Sequence, residues 1–332
     1  MRSDDCTSYA NLEASNFDAE MRERLLPGHP LRGGDYTLPT PMMHRTYTLV
    51  RKEVWARRTG TVFYSSPRMG KTRCAHEIRD MLRVEFPNVY VTLLSARSSG
   101  RPATSHMLPL ILEAESHALS KRPDANLLFG NAVADIRVKA GRIGARQYVL
   151  LIDEMQLLSD TDLQQLVCFH NHLELQNLKM TAISFAQPEI LHRRTSLLAS
   201  NSRQIIGRFM SDTLQFDGCA SESDLGHLTR AYDLASEYPE GSGISYTQFF
   251  FPEAYRAGFR LESYKKELWD SLQRAAGSLA AQGVPMEHIC LTIEELLLSL
   301  RSDDQPGFRL SANEIEAAVS ASRLRSFSDM LN

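Results

Sequence analysis

The sequence predicts an α/β fold, a parallel sheet with helices on both faces, followed by an all-helical region. Three observations support this. Short apolar runs alternate with helical patterns over about 150 residues, as in a parallel sheet with helical crossovers. One run, Tyr148-Val149-Leu150-Leu151-Ile152, is continuously apolar and closes on Asp153 and Glu154, which suits a strand buried on both faces. Beyond Asp217 the strand signals cease and only helical periodicity remains.

Each element has its own signature. Residues 1–35 are polar, are broken by Pro27, Pro30, Gly33 and Gly34, and read as an irregular arm. Residues 46–58 place Tyr47, Val50, Val54 and Trp55 on one side of a helix. Thr61-Val62-Phe63-Tyr64 is β-rich, and residues 71–86 are helical after it. Residues 89–94 read as a second strand, and a polar loop over 95–105 leads to helices near 106–120 and 125–140. After the run at Tyr148 come a helix over 161–176, a buried strand over 180–185, a helix from Pro188 and a strand over 212–216. The helical region divides into 221–236, 246–258, 261–282, 286–300 and 311–323, with Tyr246, Phe249, Phe250, Phe251, Tyr255 and Phe259 as its expected core. The expected domains are an arm over 1–35, a sheet-bearing core over 36–217, and a helical lid with C-terminal helices over 218–332.

Composition narrows the class. A chain of 332 residues, 43% hydrophobic and 23% charged, can bury a core, and 18 Gly and 14 Pro are too few for wholesale disorder. A net charge of -3 argues by itself against a generic nucleic-acid binder, but the charge is unevenly placed. Residues 1–35 hold four basic and seven acidic side chains, residues 36–210 hold 23 and 14, and residues 211–332 hold ten and nineteen. A basic middle can meet a polyanion while an acidic third keeps the molecule soluble or docks elsewhere. Five cysteines without CxxC spacing fit reduced thiols better than a disulfide frame. The first thirty residues lack the apolar segment of a signal peptide, and no apolar run approaches the ~18 residues of a membrane helix. The expectation is a cytoplasmic protein with no membrane partner.

The strongest chemical signal is Ser65-Ser66-Pro67-Arg68-Met69-Gly70-Lys71-Thr72. It follows a strand and opens a helix, where backbone N–H groups and the helix dipole can cradle phosphate. Ser65 stands where a first glycine is usual, and serine enters φ > 0 less readily than glycine. Ser66, Pro67, Arg68, Met69, Gly70, Lys71, Thr72 and Arg73, with Asp153, form the candidate ATP-binding set. Lys71 would reach the β- and γ-phosphates, and Thr72 and Asp153 would hold Mg2+. Glu154 is the candidate general base for an attacking water, which favours hydrolysis over transfer to a second metabolite. Gln187, with Ser184 as the alternative, sits at the end of the strand over 180–185 to sense the γ-phosphate. Arg208 is the candidate arginine finger reaching a neighbouring subunit's ATP, with Arg203 and Arg194 as alternatives.

The motifs SSPRMGKT, VLLIDEMQLL, AISFAQPEI and QIIGRF, followed by a helical lid, resemble those of AAA+ ATPases. The IDE-x-Q sequence and ISYTQFFFPEAYRAGFRL resemble more narrowly the transposition regulators of the TnsC, TniB and MuB type, over about residues 36–270. That resemblance implies a bacterial protein that binds double-stranded DNA when loaded with ATP and assembles as a ring or filament. It also implies recruitment of a transposase, often through a target-selection factor, with hydrolysis disassembling the assembly. The same roles for Lys71, Thr72, Asp153, Glu154, Gln187 and Arg208 follow from it. No lid arginine stands out by position.

Between the two nucleotide motifs lie Arg97, Arg101, Lys121, Arg122, Arg137, Lys139 and Arg142, the candidate DNA contacts. Such residues touch phosphates without reading bases, which gives salt-dependent and sequence-tolerant binding. Cys168, His170 and His172 lie close together, but two ligands on one helix face do not make a zinc site, and their neighbours read as core. Residues 323–332 read as a frayed end or docking tail. The alternatives in function are another AAA+ machine, of replication-initiator or secretion type, and a nucleotide-gated switch that does not touch DNA.

Overall fold

The computed structural model describes residues 19–98, 106–117 and 125–331. The chain forms two compact units, one of Arg45–Phe216 and one of Met1–His44 with Asp217–Asn332.

The first unit carries a sheet of strands β1 (Thr61–Tyr64), β2 (Val89–Ser95), β3 (Gln147–Asp153), β4 (Lys179–Ala186) and β5 (Asp212–Gln215). Their order is β2-β3-β4-β1-β5 and every pairing is parallel. Every residue of β3 is buried, which is why its run is continuously apolar rather than alternating. Register pairs Leu151 with Leu93 on one side and Ile183 on the other, so the Asp153 end of β3 projects beside β2 and β4. The apolar core is Val62, Leu94, Leu150, Ile152, Ala182 and the helix residues Ile111, Ile136, Leu163 and Phe169, all 4% exposed or less. A capping box closes the start of the helix Asp160–Leu175: Ser159 accepts from the Asp162 N–H and Asp162 accepts in return. Asp162 also accepts from the N–H groups of His106 and Met107, tying the start of the earlier helix Met107–Ala114 to it. The helix expected over 46–58 begins earlier, at Pro41, because proline is preorganised for the first helical position.

The second unit is helical. Its core is Leu225, Leu228, Tyr232, Phe249, Phe250, Phe251, Leu268, Ile289 and Leu297, and the aromatic set expected there is buried except for the partly exposed Tyr255. The stretch expected as one helix over 261–282 is broken at Gly277, whose φ of +54° ends the helix Lys265–Ala276. Residues read from the sequence as an irregular arm are helical over Ala19–Leu25 and Pro30–Gly33. The cause is burial: Leu26 and Leu31 join the core, and His29 sits among the rings of Tyr238, Tyr246, Phe249 and Phe250 at centroid distances of 4.6–4.8 Å. His29 is 1% exposed, and burial pushes its pKa down to about 3, so it is packed as a neutral ring. Tyr36 donates to Glu294 at 2.8 Å and meets the Tyr232 hydroxyl. The tail is also ordered, as a helix Leu324–Leu331 anchored by Leu324 and Phe327 and by Ser328 donating to the Ala276 carbonyl at 2.6 Å.

Candidate nucleotide-binding site

The loop Ser65–Thr72 leaves β1 and opens directly into the helix Lys71–Glu85. Gly70 is the N-cap residue with φ +99°, a conformation any side chain would strain. Arg68 is the other left-handed residue of the loop, at φ +66°. Ser65 is not left-handed; its N–H donates to the Ala186 carbonyl at 3.2 Å, so serine there strains nothing. Met69 is buried at 2% exposure and anchors the loop from below, while Ser66 and Pro67 are half-buried and Arg68 and Arg73 are exposed.

Lys71 is 6% exposed, and its ammonium donates to the carbonyls of Ser65 (2.8 Å) and Ser66 (2.9 Å) and to the Ser65 hydroxyl (3.1 Å). Burial pulls its pKa down to about 8, against the opposing pull of Glu154, Asp153 and Glu189. An anion beside it would replace neutral acceptors by charged ones, which make hydrogen bonds about twice as strong. The loop therefore fits a phosphate.

Thr72 Oγ1 donates to Asp153 Oδ2 at 2.8 Å. Asp153 is 3% exposed, and burial raises its pKa although the Thr72 bond opposes this. A hydroxyl and a carboxylate are the hard oxygen donors that magnesium takes, and a cation would offset the burial of the charge. The pair fits Mg2+.

Glu154 turns away from the strand with φ +56° and ψ +40°. Its Oε2 accepts from the side-chain amides of Gln156 and of Gln187, the latter at 3.0 Å. Gln156 in turn accepts from the Gln187 backbone N–H at 2.9 Å. Oε1 has no partner among the described residues. Gln156, the last residue of the IDE-x-Q sequence, was given no role in the site. Its signal is its place two residues past Glu154 in the turn Met155–Leu157, which aims it back at the carboxylate. Arg193, also missed, donates to the Gln156 carbonyl (3.2 Å) and to Asp160 (2.9 Å) and braces that turn. Ser184 lies two residues inside the end of β4, buried and without a partner among the described residues.

Arg208 does not join this group. Its guanidinium donates to Asn171 Oδ1 at 3.0 Å, and its carbonyl accepts from Thr59 at 2.9 Å. Thr59 precedes β1 and Ser65 follows it, which separates them by roughly 20 Å at ~3.3 Å per residue. Within one chain Arg208 is at the wrong end of the sheet for this loop. Arg194 donates to the Met210 carbonyl at 2.9 Å, and Arg203 is exposed.

The candidate DNA contacts divide three ways. Arg97 is paired with Glu113 at 2.7 Å, and Lys139 with Glu115 and Asp135 at 2.7 and 2.8 Å. Arg137 and Arg142 are exposed and carry no ion pair among the described residues. Arg101, Lys121 and Arg122 lie outside the described residues. Among the described residues no group of three or more His, Cys, Asp and Glu side chains is placed to hold a metal, and no helix is long and apolar enough to cross a membrane.

Residues 57–194 match the family model of the AAA domain. No curated protein matches the chain. The fold is similar to that of the Aeropyrum pernix ORC2 protein in ADPNP–ADP complexes, with a TM-score of 0.58, 11% identity, and coverage of 89% of this chain and 71% of that one. Its ADP form gives 0.54, 12%, 83% and 66% in the same order. The Aeropyrum pernix ORC1 protein in complex with DNA gives 0.50, 12%, 90% and 68%. At such identities the likeness is one of fold alone. The chain thus has the AAA+ P-loop fold, with the match to the AAA domain falling in its sheet-bearing part and a mostly helical C-terminal region.

Proposed function

We propose that the chain is an ATP hydrolase that oligomerises on duplex DNA, regulates transposition by recruiting a transposase, and disassembles on hydrolysis. The observation that supports its nucleotide chemistry best is the convergence of Lys71, Thr72, Asp153, Glu154 and Gln187 at one edge of the sheet. ATP with magnesium would supply the phosphoryl group and neutralise the developing charge.

The chain's own residues do the rest. Lys71 would exchange its three neutral acceptors for the phosphates, and Thr72 and Asp153 would hold the metal. The Gln156 and Gln187 amides fix Oε2 of Glu154, which leaves Oε1 to accept the proton of an attacking water. Gln187, touching Glu154, links the state of the γ-phosphate to the base. Arg208 serves only in trans, in the site of the next subunit in a ring or filament.

Arg137 and Arg142, exposed in the basic part, support binding to DNA phosphates, as does the fold shared with an ORC1 protein whose structure was solved in complex with DNA. Lys139, held by two carboxylates, contributes less. The transposition role rests on the sequence resemblance. A second reading, a replication-initiator-like ATPase, draws on the fold likeness to the ORC proteins.

Sedimentation and negative-stain imaging with duplex DNA, with and without a non-hydrolysable ATP analogue, test the proposal. Analogue-dependent rings or filaments on DNA are expected, and a DNA-indifferent monomer overturns it. Co-sedimentation of a transposase on those filaments separates the two readings.

A further inference from the structure

We propose that a cavity at the strand-start end of the sheet is a second nucleic-acid site, which takes an unstacked base and its phosphate. The cavity, of ≈ 450 Å³, is lined by Trp55, Arg57, Asn88 and Arg146 among others. That volume lies within the range of small-ligand sites, roughly 300–1,000 Å³.

Trp55 is 79% exposed, the wrong place for an indole whose only task is packing. Arg57 and Arg146 are exposed beside it, and neither guanidinium has a partner among the described residues. An aromatic platform flanked by unpaired guanidiniums is the chemistry that holds a base by its face and the backbone by its charge. In a duplex the base faces are already stacked, so the platform selects an unpaired one.

Arg57 occupies a position that local structure would give to glycine. The helix Pro41–Ala56 ends with the Arg58 N–H donating to the Glu53 carbonyl (2.9 Å) and the Arg57 N–H to the Val54 carbonyl (3.1 Å). This closure needs a left-handed residue, and Arg57 adopts φ +53° where glycine would do so without strain. The guanidinium adds nothing to the turn; it serves the cavity.

The walls are fixed. Gln147 Nε2 donates to the Val54 carbonyl at 2.9 Å, and the Arg146 carbonyl accepts from Lys179 N–H at 3.1 Å. Glu85, which precedes the lining residue Phe86, is already engaged by Tyr47 and Arg51. Gln147 begins β3 and Asp153 ends it, so this cavity and the nucleotide loop lie at opposite ends of the sheet. Binding here requires neither ATP nor Lys71.

The chain has two tryptophans, and the other, Trp269, is 8% exposed, so a quenched emission reports Trp55. Titration of the whole chain with oligothymidylate, in the absence of ATP, is expected to quench that emission saturably, and a duplex of equal length to do so far less. Trp55→Ala is expected to weaken binding of the labelled oligothymidylate by about tenfold in fluorescence anisotropy. Arg57→Gly is expected to weaken binding several-fold while raising Tm by about 2 °C, a combination that a structural role cannot produce. Lys71→Ala is expected to bind the oligothymidylate as the parent does, whatever becomes of the ATP-dependent reading. Absence of quenching, or affinity unchanged in both Trp55→Ala and Arg57→Gly, overturns the proposal.

Discussion

The Thr72 hydroxyl donates to the Asp153 carboxylate across 2.8 Å, although the strands that deliver the two residues are not neighbours. β4 runs between β1 and β3 and ends at Ala186, so the next residue, Gln187, emerges between the loop and the acids. That strand order is what lets one short polar segment touch Glu154. It also leaves Asp153 buried with a hydroxyl as its side-chain donor, a carboxylate in need of a cation.

Asp153→Asn is expected to stabilise the nucleotide-free chain and to abolish turnover. Burial raises the folded-state pKa of Asp153, so its charged form opposes folding above the ordinary carboxylate range. A neutral amide removes that cost, and a Tm rise of about 2 °C in a thermal melt is the expected reading. A fall in Tm would mean that the carboxylate stabilises the site.

Glu154→Gln is expected to keep nucleotide affinity, measured by calorimetry, and to lower kcat by about 10²–10⁴ in a phosphate-release assay. Gln156→Ala and Gln187→Ala, which leave the carboxylate but loosen it, are expected to lower kcat by about tenfold with KM little changed. Normal turnover in Glu154→Gln would remove it from the base role.

Nucleotide affinity is expected to fall as pH rises through about 8. Below that pH Lys71 is charged and can answer phosphate; above it, the buried amine is neutral. The same depressed pKa makes the nucleotide-free chain gain stability from this group between about pH 8 and the ordinary lysine value, since the unfolded chain then binds the extra proton. Lys71→Arg, whose charge does not titrate there, is expected to flatten the affinity profile in a fluorescent-nucleotide titration.

Arg208→Ala and Glu154→Gln chains, each inactive alone, are expected to recover activity when mixed. In a random assembly about a quarter of interfaces pair an intact Glu154 with a neighbour's intact Arg208. Rates that stay at zero across all mixing ratios, with assembly confirmed by sedimentation, would exclude the role in trans.

The candidate acids Asp153 and Glu154 were legible because a wholly apolar run ended in two carboxylates, a pattern with few other uses. The role of Gln156 was not, because a glutamine three residues past a strand is commonplace until the turn aims it. Nor could the sequence place Arg208 relative to the loop, since that depends on strand order, and the insertion of β4 between β1 and β3 leaves no mark on local periodicity. Residues 19–33 of the arm were misread for a related reason. Leu26 and Leu31 lie in a short stretch broken by Pro27 and Pro30, and their burial depends on a surface supplied from beyond residue 217. The tail helix is too short for its two anchors, Leu324 and Phe327, to show a period.

His29 finds its aromatic neighbours only between Tyr238 and Phe250, and the whole sheet-bearing unit is encoded between them. During synthesis at ~5–20 residues per second, Leu26, His29 and Leu31 therefore wait about 10–40 s for their partners. The sheet unit is complete within that interval and can close first. The helical unit, sewn from both flanks of the other, matures last, and until it does a short apolar segment stays open to chaperones and proteases.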